Sequence, residues 1–206
     1  MSDPTPDSVL ATMSLQQKIG QCVVVGWSGT TITQGIRDAV TRHHCGGIRL
    51  SPFTRLFRYF SDDRLGSARS TNERTREKHR LQGQPPWLSP EQYASRLGEL
   101  RRLSLESGAG IPVHFVLDQE GDTSKDLSRG GIPQFPSAMG LAASGDADLT
   151  YQVSTSLARL LRESGITVIH SPVLDVNVNP LNPEIGRRAF GDDPELVARH
   201  GIAVMQ

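Results

Sequence analysis

The sequence predicts an α/β fold with a parallel sheet, and two observations carry that expectation. Helical patterns of about 10 to 15 residues alternate with short apolar runs, which marks βαβ units joined by right-handed crossovers. One such run, Val113-His114-Phe115-Val116-Leu117, ends abruptly in Asp118-Gln119-Glu120-Gly121. An unbroken β-favouring apolar run reads as a strand buried on both faces, whereas acid-amide-acid-glycine suits function better than burial. Ligands collect at the carboxyl ends of parallel strands, in open sheets and in barrels alike. Asp118 is therefore a candidate ligand group. The structural alternative is that Asp118 and Glu120 cap the next turn or pair with an arginine.

The elements follow in order along the chain. Ser14 to Gln17 spells an S-x-x-Q capping box, and the apolar run Ile19 to Val25, stopped by Gly26, makes a short helix feeding strand one. Thr33 to His43 carries Ile36, Ala39 and Val40 at helical spacing, and Gly46-Gly47 then breaks into strand two, Ile48-Arg49-Leu50. Ser89-Pro90-Glu91 supplies a cap, an N1 proline and a first-turn acid to a helix through Tyr93, Leu97, Leu100 and Leu103. Gly108 and Gly110 end it, and Pro112 opens the strand that runs into Asp118. Asp146 to Ser164 is helical again, with Leu149, Val153, Leu157, Leu160 and Leu161 on one face and Gly165 as the stop. Ile166 to His170 reads as strand four, and Pro194 to Met205 as a further helix.

Four βα units are thus visible. A closed (β/α)8 barrel has eight strands and typically about 250 residues, so this chain of 206 residues would hold about half of one, with a complete smaller sheet as the competing architecture. The sequence stops at Gln206 inside a helical pattern with neither C-cap nor following strand, which predicts a chain that continues. From 52 to 86 the pattern lapses. Basic residues outnumber acidic ones there, and a long loop with a short helix is expected, either a solvated insertion or a lid. Trp87 near its end is placed either to stack on a sugar face or to pack in the interior.

Composition excludes several classes of function. With 22 basic and 22 acidic residues the net charge is zero, so no global field draws nucleic acid or an anionic membrane. No apolar stretch approaches the roughly 20 residues that span a bilayer, and Met1 to Met13 lacks the basic and apolar regions of a signal peptide. A cytoplasmic location is the expectation. Cys22 and Cys45 are the only cysteines, and a Cys2His2 zinc site using His43 and His44 would need a second cysteine at close spacing, so neither metal nor other cofactor is expected.

Three segments together resemble the N-terminal barrel domain of family 3 glycoside hydrolases. Val116-Leu117-Asp118-Gln119-Glu120-Gly121 is similar to the strand-end D-x-E-G motif of the bacterial β-N-acetylhexosaminidase form. Ser171-Pro172-Val173-Leu174-Asp175-Val176-Asn177 looks like the A-P-V-L-D-V segment after strand four. Asn182 to Pro194 resembles the N-P-x-I-G-x-R-S-F-G-x-D-P run. Lys18-Ile19-Gly20-Gln21 and Gly46-Gly47-Ile48 extend the likeness over nearly the whole chain apart from the basic insertion, so 1–206 is read as the N-terminal portion of one barrel domain.

The resemblance implies exo-acting hydrolysis of a terminal β-linked sugar with retention, which needs a carboxylate nucleophile and a proton donor across the scissile bond. Asp118 matches a family position that holds the sugar rather than attacks it, a task suited to an acceptor-only carboxylate. Arg188 matches an arginine facing the same subsite, with a pairing to Asp192, Asp193 or Asp175 as its structural alternative. After D-x-E-G the hexosaminidases continue G-R-V-x-R, whose last arginine contacts the sugar. Here the stretch is Asp122-Thr123-Ser124-Lys125-Asp126, which puts Asp126 in the arginine's place and leaves Lys125 or Arg129 to reach the same spot. Asp118, Arg188, Asp126 and Arg129 are the candidate substrate-binding residues. The family's K-H-F-P-G-H-G segment, with its acid/base histidine, and its aspartate nucleophile have no counterpart in these 206 residues, so the chain alone is expected to be inactive. Asp175 is no substitute, since it matches a position that supports the strand end. An open half-barrel also predicts association through its uncovered edge.

Overall fold

The short apolar runs form four parallel strands, β1 (Val24–Trp27), β2 (Gly47–Leu50), β3 (His114–Asp118) and β4 (Val168–His170), bonded in the order β1-β2-β3-β4. A doubly wound sheet reverses its order at a switch point, whereas a barrel adds each strand beside the last. The sequential order therefore decides between the two architectures, and the fold is of the TIM-barrel type with four strands among the described residues. The structure, a computed structural model, describes residues 5–27, 32–50, 90–120, 133–182 and 184–206. The basic segment 52–86 and Trp87 lie outside the described residues.

Helices α1 (Pro6–Thr12), α2 (Leu15–Gln21), α3 (Gln34–Thr41), α4 (Pro90–Glu106), α5 (Ala138–Ala142), α6 (Ala147–Glu163) and α7 (Pro194–Met205) surround the strands in sequence, with a 3-10 turn at Gly186–Arg188. Their starts follow the chemistry of the caps. Ser14 and Gln17 close the capping box in both directions, at 3.2 and 2.9 Å. Thr33, Asp146 and Asp193 each accept a backbone N–H from the first turn of the helix that follows.

Strand alternation sorts side chains onto two faces. Trp27, Ile48, Leu50, Phe115, Leu117 and Ile169 face the helices, where they pack with Ile36 and Val40 of α3, Tyr93, Leu97 and Leu100 of α4, and Leu161 of α6. Each large side chain buried this way contributes about 1.5–3 kcal/mol, so this layer is the main store of apolar stabilisation. The other face carries Val24, Gly26, Arg49, Val116, Asp118, Val168 and His170. On it Val24, Arg49 and His170 are exposed, whereas Val116 is buried.

Several expectations about boundaries are corrected. Gly26 lies inside β1 rather than stopping it, because the strand begins later and runs to Trp27, while Ile19 ends up on the exposed side of α2. Strand four is shorter than predicted. Ile166 is a buried core residue that precedes it. The apolar stripe of α6 is interrupted: Leu149 is exposed, and the fully buried neighbour is Thr150, whose hydroxyl lies 2.8 Å from Nδ1 of the equally buried His200 on α7. Gln119 is buried despite the polar run in which it sits.

The glycines of the two weaker motif segments have a shared cause. Gly46 N–H donates to the Gly20 carbonyl at 3.1 Å, and a Cβ on either residue would fall 2.2 Å from a backbone oxygen, that of His43 for Gly20 and of Gln21 for Gly46. The end of α2 and the start of β2 are thus in direct backbone contact, which only glycine permits.

Candidate functional site

Asp118 is the last residue of β3, on the face turned away from the helices. Its Oδ2 accepts a hydrogen bond from Arg49 Nη2 at 2.8 Å, and its Oδ1 lies 3.2 Å from His170 Nδ1. Strand register explains the grouping. His170 is paired directly with Asp118 across β3 and β4, whereas Arg49 pairs with Val116, one layer lower, and its long side chain climbs to the carboxylate. Asp118 is largely enclosed at 13% side-chain exposure, while Arg49 and His170 are half exposed at 53% and 55%. The result is an enclosed carboxylate at the strand ends, flanked by two nitrogen-bearing side chains that open to solvent.

Two residues further on, Glu120 takes the guanidinium of Arg188 as a two-pronged partner, Nε donating to Oε2 and Nη2 to Oε1, the latter at 3.2 Å. Planar fork meets planar carboxylate, the strongest geometry open to this pair. Arg188 Nη1 also donates to the Glu184 carbonyl at 2.9 Å, which ties it into the turn that carries it. The expected alternative partners of Arg188 were Asp192, Asp193 or Asp175, whereas the acids it meets are Glu120 and, at 3.3 Å, Glu184. Asp193 has another task, since its carboxylate caps α7 by accepting from the N–H groups of Glu195 and Leu196.

Both acids of the strand-end motif are thus paired with an arginine, as the structural alternative allowed. The two pairs differ in environment. Glu120 and Arg188 are mostly buried, whereas Arg49 keeps half its side chain in solvent. A cavity of about 80 Å³ adjoins the buried pair, lined by Gln119, Glu120, Ile169, Ser171, Arg188 and Phe190 among others. A larger groove of about 550 Å³ runs between α6, the edge of β4 and the end of α7, and none of Asp118, Glu120 and Arg188 lines it.

Phe190, two residues after Arg188, stacks on His200 with ring centroids 5.6 Å apart. Burial pushes the His200 imidazole below its ordinary pKa, Arg199 adds to the effect and Asp146 opposes it. Burial therefore favours the neutral form of the ring that stacks on the segment bearing Arg188.

Of the predicted site residues, the structure places Asp118 at the strand end and Arg188 on the adjoining turn, linked to the same motif through Glu120. Asp126, Arg129 and Lys125 lie outside the described residues. Sequence reasoning missed Arg49 and His170. Their signal was present, since a charged residue between Ile48 and Leu50 must face away from them, and His170 ends a strand as Asp118 does.

Comparison with known proteins extends the picture. The family model of the glycosyl hydrolase family 3 N-terminal domain matches residues 14–206. Beta-hexosaminidase A of Pseudoalteromonas piscicida is 31% identical over 116 residues, 54% of this chain and 19% of that protein. A beta-N-acetylglucosaminidase/beta-glucosidase of Cellulomonas fimi is 33% identical over 103 residues, 50% of this chain and 18% of that protein. Among solved structures, a family 3 beta-N-acetylglucosaminidase from Paenibacillus sp. str. FPU-7 superposes with a TM-score of 0.71 at 32% identity, covering 94% of this chain and 30% of that one. The chain spans less than a third of each of these three relatives.

Proposed function

The chain belongs to glycosyl hydrolase family 3, and on that footing we propose that it carries part of the subsite that grips the terminal sugar of a β-N-acetylhexosaminidase-like substrate. The enzyme so formed is an exo-acting, retaining hydrolase, and the sugar is held by Asp118 and Arg188. The observation that carries this reading is the enclosed Asp118 carboxylate at the carboxyl end of β3, where barrel enzymes assemble their sites. An ionised carboxylate only accepts hydrogen bonds, and sugar hydroxyls are plentiful donors. Arg188, fixed by Glu120 and Glu184, offers a guanidinium in a set orientation beside the same strand end.

The reaction splits between binding and bond cleavage. Holding the terminal ring in one pose converts a rare encounter into a unimolecular attack, which is the contribution these residues make. None of the residues proposed here is the nucleophile or the proton donor of a retaining mechanism, so a polypeptide of this sequence alone is expected to bind sugar without turning over a glycoside. A second reading, β-glucosidase-type specificity, is favoured by Asp126 standing where the hexosaminidase motif has arginine. A third, a non-catalytic sugar-binding module, keeps the same site.

Titration calorimetry with N-acetylglucosamine and with glucose tests the proposal and separates the two specificities. The unsubstituted chain is expected to bind at least one of them in the millimolar range, and Asp118→Asn to weaken that binding tenfold or more. Binding that is indifferent to Asp118→Asn would overturn the assignment.

A further inference from the structure

The geometry points to Arg49 and His170 as direct sugar contacts that decide specificity, reading a pair of neighbouring hydroxyls together with Asp118. The inference rests on the sugar-binding reading of Asp118 and adds two residues to it. Arg49 occupies an interior position of β2, paired with Gly26 on one side and Val116 on the other. That layer of a barrel is ordinarily filled by branched apolar side chains. An arginine there is unexpected on packing grounds. A half-exposed ion pair contributes at most about 1 kcal/mol, so stability does not account for it either.

The donor inventory points the same way. A guanidinium has five N–H groups, and Arg49 uses one, on Asp118 Oδ2. Among the described residues Nε and Nη1 of Arg49 make no hydrogen bond, and neither does Nε2 of His170. Both side chains are half exposed. An enclosed acceptor is therefore flanked by outward donors on adjoining strands.

Vicinal hydroxyls of a pyranose fit this arrangement. Each hydroxyl is both donor and acceptor, so one neighbouring pair satisfies a group that only accepts, Asp118, and a group that only donates, Arg49. His170 supplies a further polar edge on the opposite flank. A ligand lacking one hydroxyl leaves a buried or charged partner unmatched, which is how such sites discriminate strongly.

The test is calorimetric titration of the full chain with glucose and its monodeoxy derivatives, comparing the unsubstituted protein with Arg49→Met and Arg49→Lys. Arg49→Met is expected to weaken glucose binding about tenfold, and that penalty to shrink below about twofold for the one deoxy sugar that lacks the hydroxyl contacted. If Arg49→Met fails to fold, Arg49→Lys carries the same comparison, because it keeps a charge for Asp118 and loses the fork. A penalty equal for every sugar, or none at all, refutes the inference while leaving Asp118-dependent binding intact. Absence of sugar binding by the unsubstituted chain removes both this inference and the proposed function.

Discussion

Replacing Arg188 by methionine removes the cation of the most enclosed ion pair among the described residues. The Glu120 side chain is 6% exposed and that of Arg188 16%, so the methionine takes a guanidinium away from a carboxylate that has little access to water. Breaking one side of a buried pair costs about 3–5 kcal/mol, and the remaining exposure of Arg188 puts the expected loss near the lower end, about 3 kcal/mol. For a domain of this size that corresponds to a fall of about 6–12 °C in Tm. The assay is urea unfolding followed by circular dichroism, for Arg188→Met, Glu120→Gln and the double variant. Neutralising Glu120 removes the charge that Arg188 faces, so the double variant is expected to be more stable than the sum of the single losses by about 2 kcal/mol. Two losses below about 1 kcal/mol that simply add would show an ordinary surface pair and refute the claim that the motif glutamate anchors Arg188.

Other expectations follow from the same packing. Gly46→Ala places a Cβ 2.2 Å from the Gln21 carbonyl oxygen, and a loss of several kcal/mol in urea unfolding is expected, since backbone on both sides leaves nothing flexible to yield. Phe115→Ala, which empties a core position, should cost about 3–5 kcal/mol by the same measure. His200 has a pKa lowered by burial in the folded state and an ordinary value of about 6.5 when unfolded, so below that pH the unfolded chain binds the extra proton. Stability contributed by the neutral ring is full above about pH 6.5 and lost as pH falls towards the folded value. Unfolding midpoints compared at about pH 7.5 and pH 5.5 should therefore drop further for the native chain than for His200→Gln, and equal drops would contradict it.

What was legible in the sequence was whatever one segment decides by itself. The Ser14–Gln17 box, the stop at Gly165 and the end of the apolar run at Asp118 are local, and each appears in the structure where it was expected. The sequential strand order settled the barrel type, and the family motifs agree with it. What was not legible depends on register between distant segments. Arg49 stands 69 residues from Asp118, His170 stands 52 away, and Glu120 stands 68 from Arg188. Alternation sets Arg49 opposite Ile48 and Leu50, but within strands of three to five residues it does not declare which residue of a distant strand stands beside it. The glycine within β1 misled for a related reason. Gly26 reads locally as a breaker, but the sheet needs no side chain there. Thr150 interrupts the stripe of α6 because its partner, His200, lies on a later helix.

Sugar is proposed to bind at the carboxyl ends of the strands around Asp118. Amide chemical shifts of the isotope-labelled chain, followed by nuclear magnetic resonance during addition of N-acetylglucosamine or glucose, test it most directly. Saturable shifts are expected at Asp118, Gln119, His170 and the Gly186–Arg188 turn. Shifts confined to the groove between Tyr151 and Gln206, or no saturable shift with either sugar, would contradict it.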